Sequence, residues 1–178
     1  AVASKAAGFV ALTNLVIIGF LGRGDIFQPL IWILAALSMT AGNVMALRQT
    51  NVVRLMAYSG IAQAGFILAP LAVAGEGFAI ADKSVSAVVT YLVIYAAMNI
   101  GAFGVILAVS RKTKTAELES YNGLFRTSPS IAIVMTIFLA SLAGIPPLGG
   151  WYAKFSVFSS LTSAGTSWGY GLAVVAAI

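Results

Sequence analysis

The stretch Ser141-Leu142-Ala143-Gly144-Ile145-Pro146-Pro147-Leu148-Gly149-Gly150-Trp151-Tyr152-Ala153-Lys154 sets two consecutive prolines and three glycines in the middle of an apolar segment. That segment runs from Ser130 to Ser163, 34 residues, and as one straight helix it would be about 51 Å long. A bilayer core is only about 30 Å thick. Prolines in a helix interior remove amide donors and clash with the preceding turn, so the sequence predicts two half-helices with a break at Gly144, Pro146, Pro147, Gly149 and Gly150. Irregular backbone at membrane depth is tolerated only where it is buried in protein or lines water, and broken helices at the midplane recur in transporters. The plainer alternative is two short helices joined by a surface turn, because prolines are common in membrane helices.

Composition places the whole chain in lipid. Of 178 residues, 60% are hydrophobic and 8% charged, with a mean hydropathy of +0.99, whereas soluble domains carry about 25% charged residues. The chain contains no Cys and no His. Disulfides, thiolate metal or iron–sulfur sites, imidazole ligands and Ser-His-Asp triads are therefore excluded within it. The net charge of +5 is scattered among apolar runs and forms no stripe that could follow phosphates, so no nucleic-acid partner is expected. No phosphate loop or dinucleotide fingerprint is present, and the expectation is no cofactor and no metal in this chain. Arg23-Gly24-Asp25 matches an adhesion tripeptide and reads as a loop.

Outward from the broken segment, five further apolar runs are long enough, wholly or in part, to span: 1–21, 30–47 after Pro29, 52–73, 85–109 with Ser84 as its N-cap, and 168–178. The chain starts without Met and stops inside an apolar run, so both ends are expected to be cut within a larger membrane domain. The fold class expected is all-α, a polytopic transmembrane helix bundle with one broken helix. Arg48, Arg54, Arg111, Lys112, Lys114 and Arg126 fall on one side of it and Arg23 and Lys83 on the other, which puts the first group in the cytoplasm by the positive-inside rule.

Two lysines, Lys5 and Lys154, stand inside apolar sequence, while the five acids (Asp25, Glu76, Asp82, Glu117, Glu119) fall in loops. Intramembrane lysines cost about 2.5–3.5 kcal/mol on the insertion scale and usually face a bundle interior or a water-filled path. Either the carboxylate partner lies in sequence outside this chain, or the amine spends part of its time neutral and so can carry protons; the competing reading is that it snorkels to the interface. Lys154, four residues after Gly150, sits on a half-helix that begins inside the membrane, which favours the proton-carrier reading, whereas Lys5 is open to both. Tyr91, Tyr95 and Asn99 recur at i, i+4, i+8 and form a polar stripe on one helix face, able to order water or simply to bond between helices. Ser59 and Gln63 repeat that spacing, and Ala97 and Gly101 form a small-residue contact surface.

Ala41 to Asn51, followed by Arg54-Leu55-Met56-Ala57-Tyr58-Ser59-Gly60-Ile61-Ala62-Gln63-Ala64-Gly65-Phe66, resembles a paired segment of the antiporter-like membrane subunits of proton-pumping NADH-quinone oxidoreductase, respiratory complex I. Asn99-Ile100-Gly101-Ala102-Phe103-Gly104 and Leu142 to Pro147 through Gly150 to Phe155 look like later signatures, and they favour the subunit N branch. The resemblance implies a piece of an inverted-repeat fold, from the family's eighth helix to the start of its thirteenth, that moves protons without a redox centre of its own. NAD, flavin, iron–sulfur clusters and quinone would sit elsewhere in the complex. The partners implied are other membrane subunits and the lipid bilayer, and the location a bacterial plasma membrane or an organellar inner membrane. By the same resemblance Lys5 matches a lysine of the central hydrated axis, Lys154 the lysine of the broken helix, and Tyr95 a position where sibling subunits carry histidine. Protons would then pass between the two lysines by way of water and Tyr95. Gly60 departs from a common serine and Gln63 from a frequent histidine. A multi-subunit sodium/proton antiporter, a membrane-bound hydrogenase subunit and a non-conducting structural subunit share these features.

Overall fold

The computed structural model describes residues 2–177. Helix α1 (Val2–Asn14) runs into a π-turn (Leu15–Gly19), and α2 (Gly24–Ala46) follows a single 3-10 turn. Helix α3 (Val52–Leu68) tightens into a 3-10 stretch (Ala69–Glu76) at Pro70, and α4 (Phe78–Thr113) is the longest element. A short α5 (Leu124–Thr127) leads to α6 (Pro129–Ala143), α7 (Gly149–Ser163) and α8 (Ser167–Ala177). Among the described residues, paired extended backbone is confined to an isolated bridge between Asn51 and Glu117.

A break is present, but shorter than expected: α6 ends at Ala143 and α7 begins at Gly149, so Gly144, Pro146 and Pro147 lie in it while Gly149 and Gly150 form the first turn of α7, whose Gly150 amide is capped by Ser141 Oγ. Two boundaries differ from the sequence expectation, the starts of α4 and of α2. Helix α4 starts at Phe78, after Gly77 with φ 128°, rather than at Val85. Ser84 is buried in the helix interior and bonds to Ser160 of α7 at 3.1 Å, so its hydroxyl serves a tertiary contact and not a cap. Nothing in Ala79-Ile80-Ala81-Asp82-Lys83 breaks a helix, and Asp82 lies within α4 rather than in a loop. Pro29 likewise lies inside α2, which begins at Gly24. Asp25 occupies the first turn of α2, where a negative charge suits the helix N-terminus, and pairs with Arg23 at 3.2 Å.

Helices α2 and α3 pack at backbone distance. A Cβ on Gly42 would lie 2.6 Å from the Ala62 nitrogen, and one on Gly65 would lie 2.7 Å from the Ala35 oxygen; close approach of this kind is what small residues permit between membrane helices. Helix α4 is the central post, touching α1, α3, α6 and α7. Phe138 of α6 fills the space over Gly101, so this half of the small-residue surface packs a neighbour while Ala97 stays exposed.

Lys83 Nζ bonds Ser163 Oγ at 2.6 Å and Trp32 Nε1 bonds the Trp168 carbonyl at 2.9 Å, which gathers the starts of α2, α4 and α8 and the end of α7 at one end of the bundle. The other end is tied by Val52 N to Ala116 O (2.9 Å) and Leu118 N to Thr50 O (2.7 Å). Large apolar side chains such as Leu30, Ile33, Leu37, Val93 and Ile100 point outward, the pattern of a lipid- or partner-covered surface. Helices α2, α3 with its 3-10 extension, and α4 are long and apolar enough to cross a membrane.

Candidate functional site

The break is assembled from the last residues of α6. Gly144 adopts the left-handed conformation (φ 91°), open to glycine and costly for residues with a Cβ. It turns the chain so that the Gly144 and Ile145 amides both bond back to Ala140 O, at 3.1 and 3.0 Å. Ser141 Oγ accepts from the Gly150 amide at 3.0 Å and so caps α7, and it also contacts Met98 Sδ of α4 at 2.7 Å. Gly150 is required here, because a Cβ would lie 1.7 Å from Ser141 O.

A helix end leaves its last carbonyls without intrahelical partners, and here two side chains take them. Gln63 Nε2 of α3 donates to Leu142 O at 3.2 Å, and Lys154 Nζ of α7 donates to Ala143 O at 2.9 Å. The C-terminal end of α6 carries negative partial charge and suits an ammonium. Lys154 is half-buried, with its ammonium 4.7 Å from the centre of the Phe66 ring. It opens on a cavity of about 360 Å³ that is also lined by Asn43, Ser59, Gln63 and Phe66.

Tyr91 joins this cluster from α4. It is buried, its hydroxyl donates to Gln63 Oε1, and its ring lies nearly parallel to Phe66, 6.1 Å away at 11°. Lys5 occupies a second cluster. Its side chain is exposed on α1, yet Nζ reaches within 3.5 Å of Gly60 O. A Cβ on Gly60 would stand 2.8 Å from Lys5 Nζ and 3.1 Å from Tyr95 Oη, so ammonium and phenol flank the space that the absent side chain leaves. Tyr95 accepts from Asn99 Nδ2 at 3.0 Å, and a small enclosed space between Lys5, Tyr95 and Ile67 has room for about one water.

The stripe Tyr91, Tyr95, Asn99 is buried as one face, but its members divide: Tyr95 and Asn99 belong with Lys5, and Tyr91 with Gln63, Phe66 and Lys154. These two clusters now meet what is known of similar proteins. A family model described as NADH:quinone oxidoreductase/Mrp antiporter, TM, matches residues 1–178. The chain belongs to this family. Among its relatives it is 42% identical over 99% of its length to NADH-quinone oxidoreductase subunit N 2 of Streptomyces griseus subsp. griseus, and 41% identical over its full length to subunit N of Brevibacillus brevis. It spans about a third of those proteins, 33% and 36% respectively. A solved structure, respiratory complex I from Thermus thermophilus with bound aureothin, contains a chain with which it shares a TM-score of 0.60 and 30% identity, over 84% of this chain and 33% of that one.

This family member carries its two lysines in different surroundings, and the links between helices come from residues without a strong signal of their own. Gln63 was marked by its i, i+4 spacing from Ser59, but nothing in that spacing indicates that its amide reaches Leu142, 79 positions away. Phe66 closes the Arg54–Phe66 stretch that carries the family resemblance, but nothing in its sequence position indicates that its ring meets the Lys154 ammonium.

Proposed function

We propose that this chain is the proton-translocating part of a subunit N of NADH-quinone oxidoreductase, in a bacterial plasma membrane, with Lys154 as a proton carrier and Lys5 as its counterpart on the central axis. The observation that carries this reading is the seat of Lys154: an ammonium held at a break in a membrane helix by a backbone carbonyl, facing a half-polar cavity, with no carboxylate paired to it among the described residues. Such a group binds a proton without a fixed counter-charge and can release it when its surroundings change. Tyr91 and Gln63 supply an uninterrupted hydrogen-bonded link from α4 to the α6 carbonyl beside the one that holds Lys154. Tyr95 and Asn99 order the surroundings of Lys5. The step between Tyr95 and Tyr91, one turn of α4, is assigned to water. Quinone reduction and the NAD, flavin and iron–sulfur chemistry belong elsewhere in the complex, and the partners of this chain are other membrane subunits and the lipid bilayer. The end of the bundle bearing Arg48, Arg54 and Lys112 faces the cytoplasm.

The test is NADH-driven proton uptake by inverted membrane vesicles carrying Lys154→Ala in the full-length gene. Uptake and quinone reduction are expected to fall together while NADH still reduces an artificial acceptor at the parental rate. Parental uptake in that variant would overturn the assignment, and sodium-dependent antiport would then be measured.

A further inference from the structure

Among the described residues no carboxylate pairs with the Lys154 ammonium, and the groups that do face it are neutral. From α6 it receives the Ala143 carbonyl, one hydrogen bond for a group with three donors. Helices α2 and α3 present Asn43, Ser59 and Gln63 to the shared cavity, α8 presents Ala176 and Ala177, and α4 presents the phenol of Tyr91 behind the Phe66 ring. None of these is an anion at neutral pH. The Phe66 ring is what remains: it is buried, its centre is 4.7 Å from Nζ, and that distance lies within the reach of a cation–π attraction, which strengthens when water is excluded.

We propose that Phe66 is a positioning residue for proton transfer, its ring face acting as the neutral counter-group that seats the Lys154 ammonium beside the broken helix. The inference rests on the reading of Lys154 as a proton carrier. Phe66 also stacks on Tyr91, whose hydroxyl is bound by Gln63. The seat is therefore fixed to α4 as well as α3, and a shift of either helix moves it relative to the lysine. A cation–π contact is worth from about a twofold change in occupancy of the charged form at an exposed site to about thirtyfold when desolvated, and the half-buried Lys154 falls within that range.

The experiment places leucine or 3,4,5-trifluorophenylalanine at position 66 of the full-length subunit, alone and together with Lys154→Ala. Proton uptake in inverted vesicles is normalised to NADH reduction of an artificial acceptor. Fluorination nearly preserves ring shape and removes the negative face. Uptake is expected to fall about twofold to thirtyfold with Phe66→Leu, to fall measurably with the fluorinated ring, and to show no further loss from fluorination when Lys154 is already alanine. Parental uptake with the trifluorinated ring, or an equal loss from it in both backgrounds, overturns the Phe66 assignment. If Phe66→Leu does not assemble, the fluorinated pair alone decides. Parental uptake in Lys154→Ala overturns the carrier reading itself, so the two failures are told apart.

Discussion

The backbone of Gly144 lies directly against the stem of Lys154: a Cβ at position 144 would stand 2.8 Å from Lys154 Cδ and 3.4 Å from Nζ. One glycine therefore does two things at the break. Its positive φ ends α6, and its missing side chain leaves the path by which the lysine returns to the Ala143 carbonyl.

Gly144→Ala carries the left-handed penalty of about 1–2 kcal/mol and displaces the lysine stem. Gly150→Ala drives a Cβ into Ser141 O at 1.7 Å, whereas at Gly149 the nearest atom is Ile94 Cγ2 at 3.3 Å. The expected order of damage is Gly150, then Gly144, then Gly149, read as the temperature of inactivation and as proton uptake. Gly144→Ala loses more uptake per degree than Gly150→Ala, because it acts on the lysine as well as on the fold.

Gln63 bridges Tyr91 and the end of α6 by hydrogen bonds. Gln63→Leu strands a buried carbonyl and a buried phenol, at about 1–3 kcal/mol for each group left unpaired. Gln63→His keeps one ring nitrogen to donate and one to accept, and is expected to retain most of the uptake that leucine abolishes. Vesicle assays of both variants, with a heat-inactivation series, measure the difference.

Tyr91 and Tyr95 differ by one helical turn and by what they touch. Because Tyr91→Phe and Gln63→Leu remove the same hydrogen bond, their combined effect is expected to be smaller than the sum of the two. Tyr95→Phe acts on Asn99 and the Lys5 cluster, and is expected to add to Gln63→Leu. A double-mutant cycle on uptake rates reads both. Equal coupling of Gln63 to the two tyrosines would contradict the division into two clusters.

Gly60→Ser places a hydroxyl between Lys5 Nζ and Tyr95 Oη, where the flexible lysine end can move aside and accept it as a partner. Gly60→Val fills the same space with methyl groups. Serine is expected to sustain uptake near the parental level and valine to lower it several-fold, with complex content in the membrane measured alongside.

Helix α4 marks where local signals stop. Ser84 before Val85 has the form of an N-cap, but the breaker-free residues ahead of it continue the helix to Phe78, and its hydroxyl meets Ser160 across the helix interface instead. The Tyr91–Tyr95–Asn99 spacing gave the shared face correctly, because helical periodicity is local. It could not divide the face between two lysines, since that depends on which residues of α1, α3 and α7 stand opposite.

Composition and periodicity were enough to determine an all-helical membrane bundle, the break after Gly144, and the two lysines set in apolar sequence, because each of these follows from chain-local energetics: hydropathy, the missing amides of Pro146 and Pro147, and the cost of charge in lipid. The tertiary structure alone decided that the Leu142 and Ala143 carbonyls are taken by Gln63 and Lys154, that Gly60 is the gap beside Lys5, and that the Phe66 ring faces the Lys154 ammonium. Those relationships join residues up to 79 positions apart. They are fixed by which helix faces meet and how closely, and no spacing within a single segment encodes that.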